Sequence, residues 1–147
     1  MAQFSIAPHS DVVARRGAVL VVEDRNDVRQ AMAQLLELHG FLVEDARNAE
    51  EALTQLYTEP DGFALILLDL LLPGGLSGWD FRARQLADPR IAHIPTIVVT
   101  VSDDVDSEKR DALRFDGWLE KPFRCADLLK AVRRYVVSEG SALQAES

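Results

Sequence analysis

Three carboxylates, a hydroxyl and an ammonium each stand at the end of a short apolar run in this sequence. Glu23 and Asp24 follow AVLVV, Asp69 lies in FALILLDL, Thr100 closes TIVVT, and Lys121 follows GWLE. Singly, each residue has an ordinary explanation: an Asp that caps a turn, a β-branched strand residue, a surface charge. Brought together, the three carboxylates repel, and one of them holds a proton unless a cation joins them. Donors that are all oxygen favour a hard ion. Mg²⁺ (or Mn²⁺) suits a site that offers a few carboxylates and leaves positions for water and a phosphoryl oxygen. Asp69 is then placed to attack phosphorus and form an aspartyl-phosphate. Such a transfer needs in-line positioning and neutral surroundings for the equatorial oxygens, which Lys121, Thr100 and the metal would supply.

The apolar runs that carry these residues read as five strands: 18–22, 41–46, 63–70, 96–100 and 117–120. Helical spacing separates them. Val28, Met32, Leu35, Leu36 and His39 share a face in the first helix, which Gly40 ends. Asn48 and Glu51 form a capping box for the second helix, Ser77 caps the third, and Asp106 caps a shorter fourth. Leu128, Leu129, Val132 and Val136 line the last. Strict strand–helix alternation predicts an α/β fold: a doubly wound parallel sheet of five strands with five helices covering both faces. In such sheets ligands gather beyond the carboxyl ends of the strands, where the five polar residues fall.

The ordered set VVEDRNDVR, LILLDLLLPGGLSGWDF, IVVTVS and GWLEKPF resembles the receiver domains of two-component response regulators over about residues 17–138. The resemblance implies a flavodoxin-like strand order, 2-1-3-4-5, and a role for each matched position. Glu23, Asp24, Asp69 and the backbone carbonyl of Leu71 would hold Mg²⁺, and Asp69 would be the phosphoacceptor. Thr100 and Lys121 would contact the phosphoryl group, with Lys121 preceding a cis Pro122. Thr100 and Trp118 would act as the switch pair, altering the face formed by the fourth helix, fifth strand and fifth helix. Leu71 and Ser102 occupy positions that tune phosphoryl lifetime. The implied partners are a histidine kinase or histidine phosphotransfer domain and an unidentified downstream protein. Glu23 stands where Asp is more usual, PGGLSG is one residue longer than the usual loop, and Trp118 is bulkier than the usual Tyr or Phe.

Bulk properties narrow the rest. The net charge of −8, with both signs dispersed, argues against a nucleic-acid surface, and one cysteine, Cys125, excludes an internal disulfide. Cys125 reads as a small buried residue. No apolar stretch approaches the roughly 18 residues of a membrane span, and the opening residues lack a signal-peptide core, so a cytoplasmic location is expected. Residues 1–16 and 139–147 read as loosely ordered extensions flanking one domain. Mixed charge at Asp104, Asp106, Glu108, Lys109, Arg110 and Asp111 permits a monomer or a weak homodimer. Two rivals remain: a receiver-like protein-binding module that works without phosphorylation, and a metal-dependent phosphatase. The latter needs an Asp-x-Asp after the first strand, which Glu23-Asp24 does not supply.

Overall fold

The central strand follows from FALILL, six apolar residues with no polar interruption, which only a strand covered on both faces can bury. In the computed structural model, which describes residues 4–10, 13–101 and 107–139, all six are buried in β4 (Phe63–Leu68). The other strands are β1 (Phe4–Ile6), β2 (Ala18–Val22), β3 (Val43–Ala46), β5 (Thr96–Thr100) and β6 (Gly117–Glu120). The helices are α1 (Asn26–Leu38), α2 (Ala49–Thr58), α3 (Gly78–Ala87), α4 (Ser107–Leu113) and α5 (Cys125–Tyr135). The sheet order is β1-β6-β5-β4-β2-β3. Without β1 this is the expected 2-1-3-4-5 arrangement, parallel throughout.

Period-2 alternation divides the core. Val19, Val21, Leu65, Leu67, Ile97 and Val99 face Met32 and Leu36 of α1 and Leu128 and Val132 of α5. Leu20, Val22, Ile66, Leu68 and Val98 face Leu53 and Leu56 of α2 and Phe81 of α3. Each fully buried aliphatic side chain contributes about 1.5–3 kcal/mol.

Several helix ends form as their residues predict. The Asn48 side chain accepts from the Glu51 N–H at 2.8 Å, although Glu51 returns its carboxylate to the N–H of Arg47 and not to that of Asn48. Ser77 and Asp80 make the full reciprocal box at α3. Gly40 leaves α1 with a φ of 87°, a left-handed value that suits glycine. The expected Asp106 cap lies outside the described residues, as do Asp104 and nearly all of the 139–147 extension.

Two expectations are corrected. The sheet has six strands, because Phe4–Ile6 pairs antiparallel with β6, so residues 4–10 are not a loose arm. A three-residue run among Ser, Pro and His has no period of its own; the unpaired edge of β6 makes it a strand. Cys125 is exposed, because it is the first residue of α5 and lies off its apolar stripe.

Candidate phosphoacceptor site

Strand register brings the polar residues to one rim. Val22 pairs with Leu68, so the next residues, Glu23 and Asp69, leave the sheet side by side, and the Asp69 N–H donates to the Val22 carbonyl at 3.1 Å. On the other side Thr100 pairs with Glu120, and the Lys121 N–H donates to the Thr100 carbonyl at 2.9 Å. The Lys121–Pro122 peptide bond is cis, as expected.

Glu23 and Asp69 are 2% and 7% exposed. The Lys121 ammonium bridges them, hydrogen-bonded to Glu23 Oε1 and 3.2 Å from Asp69 Oδ2. Burial pulls the Lys121 pKa down, but the hydrogen bond to Glu23 and the charges of Asp69 and Glu23 outweigh it, so the ammonium titrates above its ordinary value. Asp69 is held from the other side as well, because Oδ1 accepts the Leu71 N–H at 2.9 Å.

One carboxylate oxygen from each of Glu23, Asp24 and Asp69 lies within 4.8 Å of the others. Asp24 is pushed above the usual carboxylate range, first by burial and then by the hydrogen bond and charge of Glu23. Three crowded oxygen donors, one of them reluctant to ionise, are a set that a hard divalent cation relieves. The residues therefore fit Mg²⁺.

Two residues that the sequence reading overlooked shape this rim. Arg29 is buried in α1 and clamps the acidic loop from behind. It donates to the Glu23 carbonyl at 3.0 Å, to Asn26 Oδ1 and to Asp45 Oδ2 at 2.8 Å. Its signal was a charge at helical spacing from Met32 and Leu36, inside an apolar stripe. Gly78 opens α3 directly against the backbone of Asp69 and Leu70, just beyond β4. A Cβ there would lie 2.5 Å from the Asp69 carbonyl oxygen and 2.6 Å from Leu70 Cα, contacts that no side chain tolerates.

Thr100 Oγ1 is buried and has no hydrogen-bond partner among the described residues, and the same holds for Trp118 Nε1. Trp118 lies edge-on to Phe115, with ring centroids 6.1 Å apart, and the Arg110 guanidinium sits 3.7 Å from its ring centroid. Leu71 is 54% exposed, an apolar rim beside Asp69. Ser102 lies outside the described residues.

The family model of the response regulator receiver domain matches residues 19–133. The chain belongs to this family. Among curated relatives, this receiver domain is 34% identical over 129 residues to the phosphate regulon transcriptional regulatory protein PhoB of Escherichia coli, covering 84% of the chain and 54% of that protein. It is 30% identical over 116 residues to the CpxR homolog of Haemophilus influenzae, covering 78% of the chain and 48% of that relative. The chain thus spans about half the length of these relatives.

Among solved structures, chemotaxis protein CheY4 of Vibrio cholerae matches with a TM-score of 0.73 and 27% identity, over 83% of this chain and all of that one. A response regulator receiver protein from Pseudomonas putida matches with a TM-score of 0.69 and 31% identity, over 82% of this chain and 98% of its own. Receiver domains are signalling modules of two-component systems, phosphorylated by histidine kinases or phosphotransfer proteins and binding Mg²⁺ at an acidic pocket. No helix among the described residues is long and apolar enough to cross a membrane.

Proposed function

We propose that this receiver domain accepts a phosphoryl group on Asp69 from a histidine kinase or histidine phosphotransfer domain, in a reaction that requires a divalent cation. The observation that carries this reading is the Asp69 carboxylate, held by the Leu71 N–H on one oxygen and by Lys121 on the other, beside the acidic pair Glu23-Asp24. Both oxygens are fixed, so the nucleophile is oriented before a donor arrives. An Asp69 carboxylate oxygen forms the new bond to phosphorus as the bond from phosphorus to the donor's imidazole nitrogen breaks.

Glu23, Asp24, Asp69 and the Leu71 carbonyl would hold Mg²⁺, whose charge offsets that of the transferring phosphoryl oxygens. Lys121 supplies a second positive charge that needs no reorganisation, since it already faces Asp69. Thr100 contributes a buried hydroxyl whose donor has no acceptor among the described residues, an arrangement that is costly until one comes within reach. A phosphoryl oxygen on Asp69 is such an acceptor. Moving Thr100 toward it frees space on the face that carries Trp118 and alters the surface of α4, β6 and α5. Leu71, exposed beside Asp69, and Ser102, by its family position, tune the lifetime of the phosphoryl group.

Intact mass spectrometry after incubation with acetyl phosphate, with and without Mg²⁺, tests the reading. A gain of one phosphoryl group that requires the metal and is lost in Asp69→Asn is expected. If rapid sampling finds no adduct, phosphorylation is not this domain's chemistry, and a phosphorylation-independent binding module takes its place.

A further inference from the structure

β6 is the last parallel strand on its side of the sheet. Uncovered, its outer edge would be a row of backbone donors and acceptors of the kind that takes up an extended chain. Residues 4–10 fill that edge with contacts that go beyond the backbone ladder. Phe4 stands opposite Leu119 and packs on the core shared with α1 and α5. The Ala7 N–H donates to the Asp116 carbonyl at 2.8 Å, and Ala7 is buried. Ser10 Oγ donates to Asp116 Oδ1 at 3.2 Å and lies 3.0 Å from the Tyr135 hydroxyl. His9 Nε2 lies 3.1 Å from the Arg114 carbonyl oxygen.

The receiving strand is shaped for this contact. A Cβ on Gly117 would come within 2.8 Å of the Ser5 carbonyl oxygen and 2.9 Å of Phe4 Cε1, so the missing side chain is what admits the added segment. A cavity of about 200 Å³ remains between this strap and α4, bordered by His9, Arg110, Asp111 and Trp118. The ladder itself is only three residues long, which is marginal for an isolated pairing.

We propose that the β6 edge is a strand-addition surface for an extended segment of a partner protein, and that residues 4–10 occupy it in cis until such a segment displaces them. The strap shows what the partner must present: an aromatic residue opposite Leu119, a small residue three positions on, and a hydroxyl three beyond that to reach Asp116. Backbone pairing supplies affinity, while the Phe4 and Ser10 positions supply selection. Because the strap is tethered, it competes at high effective concentration, and an incoming segment sees its intrinsic affinity multiplied by the fraction of molecules whose edge is open.

The test uses the full unphosphorylated chain without Mg²⁺, so its outcome is independent of the chemistry at Asp69. A fluorescein-labelled peptide copying residues 3–11 is titrated by anisotropy against the native chain and against Phe4→Asp/Ser10→Ala, which releases the strap and leaves β6 intact. Binding to the released variant at least about tenfold tighter than to the native chain is expected. That binding is also expected to be lost when Phe in the peptide is replaced by Ala. Equal binding to both proteins, indifference to the Phe replacement, or a released variant that dimerises instead of taking peptide would overturn the proposal. Should the released variant fail to fold, hydrogen exchange on the native chain decides. The amides of the β1–β6 ladder must open without global unfolding, and exchange only through global unfolding would refute a displaceable strap.

Discussion

Lys121 reaches Asp69 by way of Glu23: its ammonium is hydrogen-bonded to the buried Glu23 carboxylate and touches Asp69 Oδ2 at 3.2 Å. Glu23 thus has two duties, as a candidate metal ligand and as the anchor of the lysine. A carboxylate with this arm length joins the acidic cluster and the far strand through a single side chain.

Lys121→Met is expected to destabilise the fold by roughly 3 kcal/mol, because Glu23 is left as an uncompensated buried charge. Adding Glu23→Gln should restore much of that loss, since the pair is then removed together. Urea denaturation of both single variants and the double variant measures the coupling, and phosphoryl uptake should stay impaired in the double variant.

Arg29→Ala is expected to weaken Mg²⁺ binding by about tenfold or more while leaving every candidate ligand in place, because the Glu23 carbonyl loses its clamp. Arg29→Lys keeps the charge but cannot reach Glu23, Asn26 and Asp45 at once, so it should recover only part of the affinity. Isothermal titration with Mg²⁺ separates the two. Equal affinity in all three proteins would make Arg29 a purely structural residue.

Gly78→Ala places a methyl group against the backbone of Asp69 and Leu70, where neither neighbour has a flexible end to yield. A loss of about 1–3 kcal/mol is expected in denaturant unfolding. Slower phosphoryl uptake should accompany it, since the acceptor strand must shift to make room.

Tyr135 adds to the alkaline pH dependence, beside Lys121. Burial holds its hydroxyl above the ordinary value of 10.0, so the folded protein keeps the phenol proton longer than the unfolded chain does. Where the folded state binds more protons, stability falls as pH rises. Its contribution is therefore complete below pH 10.0 and is lost as pH climbs through the raised folded value. Tyr135→Phe should be less stable at neutral pH, through loss of the contact to Ser10, yet flatter in this alkaline window. Thermal melts across the window compare the two, and parallel pH curves would contradict the assignment.

The parallel sheet and the meeting of Glu23, Asp24, Asp69 and Lys121 at one rim were legible because each rests on a strong local signal, an apolar run followed at once by a charge, whereas the strand order followed from the family resemblance. Arg29 was harder to read, because a guanidinium in an apolar stripe looks like a misplaced surface charge until its acceptors are in view. Gly78 was silent, since one glycine after Ser77 reads only as the start of a helix. The first strand was illegible for a deeper reason. Phe4–Ile6 has no strand signal of its own, and its conformation is dictated by an edge more than a hundred residues away, linked by contacts such as Ser10 to Asp116. Exposure of Cys125 depended on where α5 begins, a boundary that periodicity places only to within a residue or two.

The opposite margin of the sheet is guarded in another way. β3 carries Glu44 and Asp45 as exposed neighbours, and the Gln55 side chain donates to the Asp45 carbonyl at 2.8 Å, using up an acceptor that an incoming chain would seek. Two molecules that collide flank to flank therefore meet like charges on one side and an edge strand only three residues long on the other. At high concentration such a sheet resists fibrous self-stacking without spending any residue of the reactive rim on that task.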